Sequence, residues 1–234
     1  MKEGWYLNPY LADLKRYEFF SLLSEGEVTR LSQAALYHRI PKGQILFFRE
    51  DPVIYYYFIF KGLLRLEQED STGDYRYIDY VAEESFCPYA EFLAHDHHVY
   101  TAIAQTDLEI AYLSKALLEE IVTHNNDQLK YMYQNLCNTQ FYLEKRVQMT
   151  AVPSASVRVL QTLALWMYDM AKFDQQQVII PHPLTITELA LVAGTTRETA
   201  SRVVKVLKDD GRISINRKNI IYHDWQYFEK LIET

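Results

Sequence analysis

The spacing of hydrophobic positions changes period along the chain, and the changes divide it. Between residues 8 and 36 apolar side chains recur at helical spacing, first Leu11, Leu14 and Tyr17, then Leu22, Leu23, Val28 and Leu31. That predicts one or two helices. Ser24, with Glu27 three residues on, offers a capping box. From Tyr37 the period changes. Ile45 to Phe48, Tyr55 to Phe60 and Leu63 to Glu67 are β-branched and aromatic, and Tyr75 to Val81 alternates. Pro41-Lys42-Gly43, Lys61-Gly62 and Asp70 to Asp74 are turns, and Val99 to Gln105 and Leu108 to Leu113 complete the set. Short strands with closely spaced turns predict a small barrel or jelly roll.

Helical period returns at Ser114 or Lys115 and runs to Val122. A longer helix, capped by Asn125 or Asn126, is expected to reach about Thr150. On it Leu129, Tyr133, Leu136, Gln140, Leu143, Val147 and Thr150 alternate steps of four and three. This heptad seam predicts pairing with a second copy, with Gln140 fixing the register. Met132, Phe141 and Tyr142 are left for another face. Val152-Pro153-Ser154 ends the helix, because proline disfavours helix in the residue before it, and reads as a hinge. Val157, Leu160, Leu163, Ala164 and Met167 form one face of the next helix, to about Lys172. A loop from Asp174 to Gln177 and a strand, Val178 to Ile180, follow.

Leu184 to Ile213 then reads as two short helices joined by a tight turn at Gly194. Thr185 with Glu188, and Thr195 with Glu198, have capping-box spacing. Leu189 and Val192 on the first helix face Ala200, Val203, Val204 and Leu207 on the second. The second keeps Arg197, Glu198, Ser201, Arg202 and Lys205 for its other side. Arginine can bond a guanine edge bidentately and glutamate can accept from a cytosine amino group, so this helix suits a DNA major groove. Gly211 to Ile215 and Asn219 to Tyr222 form a hairpin with Arg217 and Lys218 at its tip, a wing beside the helix pair. Asp224 can cap a last helix bearing Trp225, Phe228, Leu231 and Ile232.

Charge sharpens this picture. The chain of 234 residues has a net charge of −7, yet Thr185 to Tyr222 carries seven Lys/Arg against four Asp/Glu. A basic element on an acidic body is the distribution expected for local phosphate contact. No apolar run approaches the ~20 residues that span a bilayer, and residues 1–6 lack an export signal's pattern, so no membrane partner and a cytoplasmic location are expected. Cys87 and Cys137 lie in different elements and suggest no disulfide framework.

Gly194-Thr195-Thr196-Arg197-Glu198-Thr199-Ala200-Ser201-Arg202 resembles the recognition helix of the Crp/Fnr family of bacterial transcription regulators. Phe58-Ile59-Phe60-Lys61-Gly62 resembles a strand and turn of that family's β-roll. The resemblance implies an α+β fold. Residues 1–122 would hold the N-terminal helices and a cyclic-nucleotide-binding-like β-roll, 123–151 a dimerisation helix, and 152–234 a winged helix-turn-helix. It implies a non-enzymatic homodimer reading an inverted repeat in double-stranded DNA and meeting RNA polymerase. Arg197, Glu198 and Arg202 would read base edges of a TGTGA-like half-site. Thr185, Thr196, Thr199, Ser201, Arg217 and Lys218 are placed for phosphates, which set register.

The family's cyclic-nucleotide-binding members carry Gly-Glu and, about ten residues later, Arg-Ser. Here Pro88-Tyr89 and Val99-Tyr100 stand in those places. A cyclic phosphate would lack its charge-assisted partner, so cyclic AMP is not the expected effector. The effector is left unidentified, with Tyr77, Phe86, Tyr89 and Tyr100 as candidate lining of a small apolar pocket. The oxygen-sensing members use four cysteines for an iron–sulfur cluster; two cannot serve, and no cofactor is expected. His95, Asp96, His97 and His98 carry metal-ligand chemistry, but an exposed polar loop is the plainer reading and no metal is assigned. Cys87 as a redox sensor is weighed against a small buried thiol. A cupin-like metalloenzyme and a non-DNA interaction module on the same scaffold are the competing functions. Neither accounts for the basic winged helix.

Overall fold

The computed structural model describes Tyr10 and residues 13–69, 76–174 and 177–233. The expected turn at Asp70 to Asp74, Tyr75 and Leu11 lie outside the described residues. The chain forms two compact units, Met1–Leu136 and Cys137–Thr234.

In the first unit, a 3₁₀ turn at Leu14–Arg16 and helices α1 (Glu18–Ser21) and α2 (Glu25–Ala34) precede eight strands. The Ser24–Glu27 capping box on α2 is formed in both directions. The strands are β1 (Leu36–Ile40), β2 (Ile45–Phe47), β3 (Tyr55–Lys61), β4 (Leu64–Glu69), β5 (Arg76–Val81), β6 (Ser85–Cys87), β7 (Thr101–Ala104) and β8 (Leu108–Ser114). They pair antiparallel as two sheets, β1-β8-β3-β6 and β2-β7-β4-β5. One core lies between the sheets: Tyr57, Ile59, Cys87 and Ile110 from the first, and Phe47, Leu64, Leu66, Ala102 and Ala104 from the second. Alternate residues of β3, Tyr56, Phe58 and Phe60, face the other way and pack with Phe19, Phe20 and Leu31 of the helices. Burial on both faces explains why Tyr55 to Phe60 is a continuous apolar run.

Gly62, at φ +101°, joins β3 to β4; a side chain there would run into the Asp107 carbonyl. Helix α3 (Lys115–His124) closes the roll, and Asn125 caps the long helix α4 (Asn126–Thr150) by accepting from Gln128 N–H at 3.0 Å. β1, β6 and the short β9 below were not expected as strands. β6 and β9 are three residues long, and the mostly exposed β1 shows no apolar alternation.

The second unit begins inside α4. It continues with α5 (Ala155–Met170), β9 (Lys172–Asp174), β10 (Gln177–Ile180), α6 (Ile186–Val192), α7 (Arg197–Asp209), β11 (Ile213–Ile215), β12 (Ile220–Tyr222) and α8 (Trp225–Glu233). Its sheet runs β11-β12-β10-β9. The division between the compact units falls at 136/137, inside α4. Its cause is packing: Tyr142 and Met149 of α4 are buried with Leu165 of α5 and Ile232 of α8, so the end of the long helix joins the following domain. Among the described residues no helix is long and apolar enough to cross a membrane.

Candidate nucleic-acid interface

Helices α6 and α7 are set by their ends. Thr185 accepts from Glu188 N–H at 3.1 Å while the Glu188 carboxylate accepts from Thr185 N–H at 2.7 Å, as the spacing predicts. At the far end Gly194 adopts φ +59°, which lets Thr195 N–H reach Ala190 O and Gly194 N–H reach Leu191 O. This double bond pattern is a Schellman motif. It recurs after α7, where Gly211 at φ +70° sends Arg212 N–H to Leu207 O and its own N–H to Lys208 O.

The first motif corrects one expectation. Thr195 is consumed by the turn, so the cap of α7 is Thr196, whose hydroxyl accepts from Thr199 N–H at 3.2 Å. Glu198 therefore closes no capping box. Its carboxylate is held below the usual range by its own backbone N–H and by the Thr196 hydroxyl. Ala200, Val204 and Leu207 are buried, and Arg197, Glu198, Ser201, Arg202 and Lys205 are exposed. Positions 198, 201, 202 and 205 lie on one helical face, opposite the core. Among the described residues no ion pair occupies Arg202, Lys205, Arg217 or Lys218.

The wing owes its shape to Asn216, which sequence reasoning missed. Its side-chain oxygen accepts from Lys218 N–H at 2.7 Å and Asn219 N–H at 3.0 Å. That turn leaves Arg217 and Lys218 exposed at the tip. Thr185, Thr196 and Ser201 are exposed and Thr199 is half-buried. A glance at side-chain–main-chain spacing, Asn three residues before Asn, was the available signal for Asn216.

A sequence model of the cyclic nucleotide-binding domain matches residues 37–125, and one of the Crp-like helix-turn-helix domain matches 158–231. The chain belongs to the Crp/Fnr family. It is a DNA-binding transcription regulator of that type. The HTH-type transcriptional regulator ArcR of Staphylococcus haemolyticus is 23% identical over 88% of this chain and 90% of that protein. The cAMP-activated global transcriptional regulator CRP of Pasteurella multocida is 23% identical over 80% of this chain and 89% of that protein. Among solved structures, FixK2 from Bradyrhizobium japonicum superposes with a TM-score of 0.70 at 18% identity, covering 84% of this chain and 96% of that one.

In this Crp/Fnr chain the effector-domain segment holds a feature that the sequence did not flag. Glu91 is fully buried, and its two oxygens are both used: one accepts from Val99 N–H at 2.9 Å, the other lies 2.7 Å from His98 Nδ1. His98 is buried too and stacks on Phe47 at 3.7 Å. A protein carboxylate thus lies at the backbone of Val99, the position where the cyclic-nucleotide-binding pattern has its arginine. These residues do not fit a cyclic phosphate. The four candidate pocket residues separate into two pairs. Tyr77 stacks on Tyr100 at 5.7 Å, while Phe86 meets Tyr89 at 5.0 Å in the core shared with the helices. Burial, then the neighbouring Tyr131, pushes the Tyr89 hydroxyl well above its usual range.

The histidine-rich loop does not converge. His95 and His97 are exposed, His98 turns inward, and Asp96 pairs with Lys115 at 2.6 Å. Among the described residues no group of three His, Cys, Asp or Glu side chains is placed to hold a metal ion. Cys87 is buried between the sheets, and burial raises its thiol well above the ordinary value, which disfavours the reactive thiolate. Cys137 is exposed on α4.

Proposed function

We propose that this regulator acts in the cytoplasm as a homodimer that reads an inverted-repeat operator without cyclic AMP. The observation that carries the reading is the exposed face of α7, with Arg197, Glu198 and Arg202 free of the core and held at a fixed angle by two Schellman turns. Arg197 and Arg202 take guanine edges and Glu198 takes a cytosine amino group. Thr185, Thr196, Thr199, Ser201, Arg217 and Lys218 hold phosphates and set the register. Two copies paired along α4 bring two such helices to successive major grooves, ~34 Å apart. Support for that pairing is the solvent-exposed row on α4, where Tyr133 is 67% and Val147 69% exposed, with Leu129, Leu136 and Gln140 also exposed. Leu143 differs, being half-buried against Tyr142 and Met149. The protein works by binding, not catalysis, and recruits or blocks RNA polymerase. Domain roles follow the order β-roll, pairing helix, winged helix.

The test is selection of bound duplexes from a random pool by the wild type, Arg197→Ala and Glu198→Ala. An inverted repeat with G·C pairs at two read positions is expected. Arg197→Ala should relax one position and cost ~1–3 kcal/mol. Unchanged preferences in both variants would show that α7 does not read bases in this way.

A further inference from the structure

The end of α4 and the turn before α7 meet at one side chain. Arg158, in the first turn of α5, directs its guanidinium at four main-chain carbonyls. Nη1 donates to Val152 O at 2.8 Å and Pro153 O at 3.2 Å. Nε donates to Ala193 O at 3.0 Å and Nη2 to Gly194 O at 2.9 Å. Val152 and Pro153 are the residues through which the chain leaves the long helix. Ala193 and Gly194 are the cap and turn that end α6, two residues before the Thr196 cap of α7.

We propose that Arg158 is a positioning residue for sequence reading: it locks the turn that presents α7 to the segment leaving the long helix. Three physical points support the assignment. The Schellman bonds at Gly194 use the carbonyls of Ala190 and Leu191, which leaves those of Ala193 and Gly194 needing donors; Arg158 supplies both. A cation at the C-terminal end of α6 also suits that helix's dipole. Only a planar guanidinium offers donors in several fixed directions at once, so lysine cannot replace it at this junction. Nearby packing joins α4 to α5 but does not reach the turn before α7: Met149 Sδ accepts from the Thr162 hydroxyl at 3.4 Å, and Met149 and Tyr142 pack on Leu165.

In this arrangement Arg158 touches no DNA. It acts through the orientation of Arg197, Glu198 and Arg202. Bidentate base contacts tolerate little misplacement, whereas phosphate contacts by long side chains adapt. Loss of the lock therefore lowers specific binding and spares non-specific binding.

The inference rests on α7 reading DNA, and the experiment separates the two. Full-chain wild type, Arg158→Met and Arg158→Lys are titrated by fluorescence anisotropy with the duplex selected by the wild type and with an unrelated duplex of equal length, over a range of salt. Thermal unfolding is followed in parallel. Arg158→Met is expected to lose about tenfold on the selected duplex, comparable to one good base contact. It should change less than about twofold on the unrelated one, with the same salt slope, in a protein still folded at the assay temperature. Arg158→Lys keeps the charge and should lose most of the same selectivity. Equal losses on both duplexes with a shallower slope would make Arg158 a phosphate contact and overturn the proposal. So would wild-type selectivity in Arg158→Lys, or a loss accounted for by the fraction unfolded at the assay temperature. If Arg158→Met does not fold, Arg158→Lys alone decides. A wild type that distinguishes no duplex defeats the proposed function instead.

Discussion

At the scale of single residues, what matters is which polar groups are committed within the chain and which are left for a ligand. Thr185, Thr196 and Asn216 spend their oxygens on backbone N–H groups, whereas Lys218 and Arg202 have none of these duties. Lys218→Ala should accordingly weaken binding to all duplexes alike and make the salt slope shallower by about one unit; a loss confined to one sequence would contradict a phosphate role. Glu198 adds a pH test. Its carboxyl is held low by its own N–H and Thr196, so the charged, accepting form persists as pH falls toward the ordinary carboxylate range. Preference for the base pair it reads should be unchanged between pH 7.5 and pH 6, as measured by competition between duplexes differing at that pair. Fading of the preference across that interval would mean that another group titrates there. The readers on α7 were legible because a motif of nine consecutive residues carries them. Glu91 and Arg158 were not, because each is defined by main-chain groups that the fold brings to it: Val99 lies eight residues from Glu91, and Ala193 thirty-five from Arg158.

At the scale of elements, spacing and tertiary packing divide the credit. The heptad row on α4 was visible as a pattern, and the structure leaves Tyr133 and Leu136 exposed on it. A Tyr133→Asp, Leu136→Asp double variant should sediment as a monomer with the helical content of the wild type. These positions test pairing more cleanly than Leu143, whose contacts with Tyr142 and Met149 serve the chain's own second unit. A dimer at wild-type strength would place the seam elsewhere. Where two patterns share one helix, sequence cannot assign them: Tyr142, left for another face of the helix, became with Met149 core of the following unit. The turn between α6 and α7 shows the opposite case. Gly194 was expected to need positive φ and has it, with open space where a side chain would go. Gly194→Ala should therefore cost ~1–2 kcal/mol from backbone strain alone, and Gly194→Asn less, measured by denaturant unfolding. Equal stability of the alanine variant would imply that the turn relaxes out of the left-handed region. The capping residue one step later was misplaced because Thr195 and Thr196 are chemically alike, and only the course of the Schellman turn decides between them.

At the scale of the whole molecule, the β-roll unit places two constraints on any ligand it takes. Its charge is the first constraint. The chain carries −7 overall while the reading element is basic, so the remainder is strongly acidic and disfavours an anionic ligand at long range. The second constraint is local. A cyclic nucleotide needs a buried cation beside its phosphate. Here Val99 stands at the arginine position, and the Glu91 carboxylate already accepts the Val99 N–H with His98 against its other oxygen. Entry of a phosphate would place it beside the buried Glu91 carboxylate or expel Glu91 from both partners, and each of these costs free energy. Calorimetric titration of the full chain with cyclic AMP should give no binding heat at ligand concentrations up to about 1 mM, a limit corresponding to roughly 4 kcal/mol of affinity. Its DNA affinity should be the same with and without the nucleotide. Micromolar binding, or a tenfold gain in operator affinity on adding it, would show that Glu91 can be displaced and that the β-roll takes the nucleotide despite the substituted positions.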